Sequence, residues 1–244
     1  MSLFKKKKEN SEKSLLLADK RAPFNYVESY KTLRTNLNFI ANVNEYKKIV
    51  ITSTAPDEQK SNVCINLAYM LAAAGHKVCV VDCDFRKPEH HKMLRLGSRG
   101  KGLSGVLSGN SEIKDALFWV KDIGIYSLPC GPIPPNPSEL IASPKMEIIF
   151  SALEQSFDYV IIDSPPASVV SDAIALGHLA DGVLFVVKHD YMDKKLIKAT
   201  KEKLEQNEIR ILGTVMTGYD VSKSSKKGSN YIYSYEYVYG EEDD

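Results

Sequence analysis

Apolar residues come along this chain in two alternating rhythms. Short, nearly unbroken runs of β-formers occur at Ile49–Ile51, Lys77–Asp82, Ile123–Leu128, Tyr159–Asp163, Gly182–Val187 and Ile209–Met216. Between them lie stretches with apolar residues at three- and four-residue spacing: Val27–Ala41, through Leu33, Leu37 and Ile40; Lys60 to Gly75, through Val63, Leu67 and Met70; then Lys145–Gln155, Asp172–Leu179 and Lys194–Asn207. Strands that alternate with helices, and that are apolar on both faces, predict an α/β fold with a mostly parallel central sheet covered by helices on both sides. Ile113–Val120, which holds the only Trp, Trp119, reads as a short amphipathic piece used in core or edge packing. Residues 96–111 are rich in Gly and Ser and read as loop with one helical turn at Leu103–Leu107. A proline-rich segment, Pro132, Pro134, Pro135 and Pro137, reads as a stiff extended loop ending in a helix at Ser138.

Both ends differ from this middle. Residues 1–22 open with four lysines, Lys5–Lys8, and stay polar, which reads as a flexible lead-in; the lysines are a solvated run or a contact for anionic lipid. Residues 219–244 form a second tail, in which a Ser/Lys/Gly-rich linker precedes Tyr231, Tyr233, Tyr235, Tyr237 and Tyr239 and then Glu241–Asp244. Strict period two fits one face of an edge strand, whereas the linker and terminal charge fit a mobile segment whose phenols serve as a substrate. The domain proper is expected over 23–218. At 244 residues and a net charge of +1, the chain can bury a large core and has no bulk attraction for nucleic acid, so no nucleic-acid partner is expected. Four cysteines without zinc spacing, and no apolar run near the ~20 residues a membrane span needs, predict a reduced, soluble, cytoplasmic protein.

Candidate chemistry collects at the carboxyl ends of three strands. After Ile49–Ile51 comes Thr54-Ala55-Pro56-Asp57-Glu58-Gln59-Lys60-Ser61-Asn62, laid out as a phosphate-binding loop before a helix, although Thr54 and Gln59 stand where the formula G-x-x-x-x-G-K-[ST] has glycine. Taken alone, Lys60 also fits an ordinary surface lysine after a turn. Downstream, VCVVDCDFR ends a strand in Asp82 and Asp84, followed by Arg86, and YVIIDSPP ends another in Asp163. Each acid alone fits a helix cap or turn. Together, in this order, they fit the crevice where open α/β sheets bind ligands, and Mg²⁺ takes such oxygens beside phosphate and water. The neighbouring His90 and His91 resemble a metal pair, but residues i and i+1 face different ways on a helix, so they read as solvated polar residues. Glu28, Lys31 and Arg34, three apart on the first helix, read as a solvated face or a contact for another subunit.

With these motifs and the tyrosine tail, the chain resembles the bacterial tyrosine kinases of capsule and exopolysaccharide synthesis, of the CpsD/CapB type, over about residues 23–244. The resemblance implies a P-loop domain related to cell-division and partitioning ATPases, with ATP and Mg²⁺ as cofactors. It makes Lys60 the ligand of the β/γ-phosphates, Ser61 a Mg²⁺ ligand, Asp82 and Asp84 the Walker A′ acids and Asp163 the Walker B acid. Asp82 would orient or deprotonate the acceptor tyrosine, Asp84 would support metal and water, and Arg86 would steady charge or pair with a nearby acid. Thr217, where the family has Asn, would lie at the adenine. Gly102–Leu107 and Pro134–Leu140 match further family segments. Glu28, Lys31 and Arg34 match its oligomer helix, with Lys31 replacing an arginine that makes bidentate contacts. Implied partners are a membrane adaptor of the chain-length-determinant type, which would recruit the chain to the inner membrane face, a tyrosine-phosphate phosphatase and further copies of the chain. Gln59 and Asp57 both replace loop glycines, so weak nucleotide binding, and a scaffold in place of an enzyme, is the first alternative. A nucleotide-switch ATPase of the partitioning type is the second, although Ala55 stands where that group carries a second lysine.

Overall fold

The computed structural model describes residues 16–18, 22–96 and 102–219; Lys5–Lys8 and the tail tyrosines Tyr231, Tyr233, Tyr235, Tyr237 and Tyr239 lie outside them. In chain order the elements are α1 (Phe24–Asn44), β1 (Lys48–Ser53), α2 (Lys60–Ala73), β2 (Val78–Asp82), α3 (His90–Met93), α4 (Leu103–Leu107), α5 (Ile113–Ala116), β3 (Phe118–Val120), β4 (Ile125–Leu128), α6 (Pro137–Ile141), α7 (Pro144–Ser156), β5 (Tyr159–Asp163), α8 (Asp172–His178), β6 (Gly182–Lys188), α9 (Lys194–Gln206) and β7 (Ile211–Thr217).

Among the described residues these strands form one sheet in the order β3-β4-β2-β5-β1-β6-β7. All pairings are parallel except β3 with β4. The strand β3 corrects the expectation of a single amphipathic piece over Ile113–Val120. A helical turn ends at Ala116, and Phe118-Trp119-Val120 then turns back along β4, leaving Trp119 half-exposed on the sheet edge against Tyr126. Three residues are too few for a period to separate strand from helix.

The inner strands are buried on both faces, and the alternation of their side chains divides the core in two. Val50, Cys79, Val81, Val160 and Ile162 pack with α4, α7, α8 and α9 on one side. Ile49, Ile51, Val78, Val80, Tyr159 and Ile161 pack with α1 and α2 on the other. The helix α2 is apolar nearly all round and correspondingly enclosed, whereas α9 buries only Thr200 and Leu204. Leu17, within the segment read as a lead-in, is buried beside Tyr30 and Met70, and its N–H donates to Asn66 Oδ1 at 2.9 Å.

Gly102 meets Gly131 backbone to backbone. A Cβ at Gly102 would fall 2.3 Å from Gly131 N, a separation no side chain survives. The crossing is tied by Leu103 N–H to Pro129 O (2.8 Å), Ser104 N–H to Cys130 O (2.9 Å) and the Ser104 hydroxyl to Pro132 O (2.7 Å). The Gly-Leu-Ser turn and the start of the proline segment, read separately in the sequence, are thus one structural unit.

Candidate functional site

The chain runs out along β2 and returns to insert β5 between β1 and β2, so the ends of three adjacent parallel strands carry the loop and the acids. Asp82 and Asp163 are register partners, as are Ile51 and Asp163. Parallel neighbours lie about 4.8 Å apart, which places the two carboxylates side by side just ahead of the loop. Asp82, Asp84 and Asp163 are all buried, as are Lys60 and Ser61 at the start of α2.

Lys60 Nζ lies 2.9 Å from Asp84 Oδ2. Burial works to lower the lysine's pKa, but Asp163, Asp84 and Asp82 outweigh it and raise it, so the ammonium is firmly charged. Asp163 moves down: burial opposes its charge, and the charge of Lys60, the contact with His90 and the nearby Ser61 overcome that. Asp82 is pushed up to about 6, first by burial, with Asp163 and Asp84 adding repulsion. Its Oδ1 accepts from Asp84 N–H at 3.2 Å and its Oδ2 from His90 N–H at 3.2 Å.

His90 corrects the expectation of a solvated pair. It is fully buried, with Nε2 3.1 Å from Asp163 Oδ2, while His91 is half-buried at the rim. The turn after Arg86-Lys87-Pro88 carries its ring back under the strand ends, a placement that no local spacing announces.

The phosphate loop takes up the conformation its missing glycines would have supplied. Asp57 and Gln59 have φ of 63° and 67°, both left-handed. Glu58 between them is fully buried and clasps the loop: Oε2 accepts from Ala55 N–H at 2.6 Å and Oε1 from Lys188 N–H at 3.1 Å. The Thr217 hydroxyl donates to Glu58 O at 3.0 Å, so this residue, read as an adenine neighbour, also ties the end of β7 to the loop. Sequence reasoning placed Glu58 in the loop and missed the clasp; its only local signal is an acid inside a segment otherwise built to attract anions. Asp57 is exposed and paired with Lys87 at 2.6 Å.

Other predicted residues turn elsewhere. Arg86 gives Nε to Asp172 Oδ2 (3.2 Å) and Nη2 to Ser138 Oγ (2.9 Å), the acid-pairing arrangement of the two foreseen. Asn62 Oδ1 accepts from Tyr26 (2.9 Å), Tyr30 (3.4 Å) and Asn66 (2.6 Å), which joins the first turn of α2 to α1. Glu28 and Lys31 pair at 2.5 Å on the exposed face of α1, but Arg34 turns inward, donating to Met70 O at 3.4 Å. Thr54 and Ala55 are buried beneath the loop, and Pro56 is exposed.

The donor set suits Mg²⁺. It consists of hard oxygens, and Asp163 Oδ1 is buried without a protein partner close to Ser61 and Lys60. Among the described residues no group of three or more His, Cys, Asp or Glu is placed to hold a metal ion by itself. No helix among the described residues is long and apolar enough to cross a membrane.

Residues 49–242 match the CobQ/CobB/MinD/ParA nucleotide binding domain family. Over 201 residues the chain is 37% identical to tyrosine-protein kinase YwqD of Bacillus subtilis strain 168, covering 82% of this chain and 84% of that protein. Over 215 residues it is 33% identical to putative tyrosine-protein kinase CapB of Staphylococcus aureus, covering 88% and 90%. The crystal structure of the chimerical protein CapA2B2 superposes with a TM-score of 0.78 at 34% identity, covering 83% of this chain and 88% of that one.

Proposed function

The chain belongs to the bacterial tyrosine kinases of the CpsD/CapB type, within the CobQ/CobB/MinD/ParA nucleotide-binding family, and on that premise we propose that it is an ATP-dependent kinase acting on the tyrosines of its own tail. The observation that carries this reading is the meeting of Lys60, Ser61, Asp82, Asp84 and Asp163 at three adjacent strand ends. In phosphoryl transfer, positioning and charge neutralisation supply most of the catalysis. Lys60 exchanges Asp84 for the β/γ-phosphate oxygens of ATP. Ser61 and Asp163, with Asp84 beside them, would hold Mg²⁺, which would supply neutralisation of phosphate charge. Asp82, with a pKa of about 6, is largely ionised at neutral pH and still basic enough to accept a phenol proton. The tyrosine oxygen bonds to the γ-phosphorus, the bond to the β-γ bridging oxygen breaks, and ADP departs with that electron pair.

The acceptors proposed are Tyr231, Tyr233, Tyr235, Tyr237 and Tyr239. Their phosphorylation would regulate capsule or exopolysaccharide polymerisation and export. The kinase would act in the cytoplasm, held at the membrane by an adaptor, reversed by a phosphatase and assembled through the face of α1 that presents Glu28 and Lys31, with Arg34 turned inward. The test is intact mass after incubation with Mg-ATP and the cytoplasmic segment of the adaptor. Added phosphate on the tail, absent in Lys60→Met, is the expected result. ATP turnover without phosphotyrosine would select a nucleotide switch instead, the reading favoured by the MinD/ParA members of the family; no nucleotide binding at all would leave a scaffold.

A further inference from the structure

His90 is a buried titratable side chain that the reading above leaves without a task. Its ring is wholly enclosed, and Nε2 lies 3.1 Å from Asp163 Oδ2. Asp163 is held ionised and can only accept, so Nε2 carries the proton. Nδ1 is buried without a hydrogen-bond partner. The backbone N–H of the same residue donates to Asp82 Oδ2 at 3.2 Å. The ring Nε2 and the backbone N–H of His90 therefore both go to acids, on two neighbouring strands, and one ring nitrogen is left unsatisfied in this orientation. Buried polar atoms without partners are uncommon enough that such a sacrifice calls for a reason.

The reason lies on the other oxygen. Asp163 Oδ1 is also buried and also lacks a protein partner. The terminal torsion of a carboxylate is soft, so its two oxygens are fixed only when one of them is tied. We propose that His90 is a positioning residue for the metal side of the site: by tying Asp163 Oδ2 through Nε2–H, it leaves Oδ1 as the oxygen offered to Mg²⁺ or its water shell. Outer hydrogen bonds of this kind orient a ligating group and set its basicity, and their loss typically weakens metal affinity about 10–100-fold. The proposal rests on the Mg-nucleotide reading above.

It is tested by titration calorimetry of ADP against the full chain, once with Mg²⁺ and once with EDTA, for the unaltered protein, His90→Leu and His90→Gln. Leucine keeps bulk without a donor; the glutamine amide reaches about as far as Nε2. The unaltered protein should bind ADP more tightly with Mg²⁺. His90→Leu should lose that gain by about 10–100-fold while binding in EDTA is unchanged, and His90→Gln should recover it. If His90→Leu does not fold, His90→Asn takes its place, because its shorter amide cannot reach Asp163 Oδ2. An intact Mg²⁺ gain in the donor-free variant, equal losses in both media, or failure of glutamine to rescue would overturn the role of His90 and leave the nucleotide reading standing. Absence of ADP binding by the unaltered protein would overturn both.

Discussion

Asp82 is a carboxylate kept where its charge is disfavoured. Its pKa in the fold, about 6, lies above the ordinary 3.8, chiefly because it is buried. The fold therefore prefers the protonated form: the stabilising contribution is complete below about pH 4 and is lost as pH rises through about 6. Asp163 has the opposite sign, its lowered pKa adding stability that is lost in acid. Asp82→Asn should flatten that component of the pH dependence between pH 4 and 6 and reduce phosphotyrosine formation to background. Urea denaturation across pH and intact mass read the two effects. Gln59 and Asp57 present a different strain, since each holds an L side chain in the left-handed region, at about 1–2 kcal/mol. Gln59→Gly and Asp57→Gly should fold and bind Mg-ATP at least as well as the unaltered chain, and the β-branched Gln59→Val should lose binding in calorimetry. Both departures from the loop formula were visible in the sequence. That the loop keeps its shape despite them was not, because Glu58 holds it through Lys188 N–H, 130 residues away. His90 was hidden for the same reason: its burial comes from where a four-residue helix docks, and its partner Asp163 lies 73 residues on.

Helices and strands were legible wherever burial left a repeated mark. The runs at β1, β2, β5 and β6 announced parallel strands because both faces of each are covered, and the loop and acids sit at their ends as expected. The mark fades at the margins. Strand β7 is mostly half-exposed, β3 is three residues long, and the ends of most helices shift by one to three residues from the apolar spacing. What no periodicity could express is the crossing of the segments at Gly102 and Gly131. Gly102→Ala would drive a methyl into backbone where nothing flexible can yield. The expected loss is about 3 kcal/mol or more, read as a lower denaturation midpoint. Gly124, whose added Cβ would meet nothing but whose φ is 67°, provides a control limited to backbone strain.

Because the site is assembled from β1, β2, β5 and the start of α2, occupying it should hold together elements far apart in the chain. At a Mg-ADP concentration of 100 times Kd, the folded state should gain about 2.7 kcal/mol, seen as a rise in melting temperature. EDTA should reduce the rise, and Lys60→Met should abolish it. A further tie leaves the sheet altogether. Asn62, one residue beyond the proposed Mg²⁺ ligand Ser61, takes hydrogen bonds from Tyr26 and Tyr30 of α1, and Asn66 one turn later takes the N–H of Leu17. The helix whose outer face presents Glu28 and Lys31 is therefore geared to the threshold of the nucleotide cradle. A neighbour that tugged or braced that outer face would bear, through two phenols and an amide, on the first turn of α2.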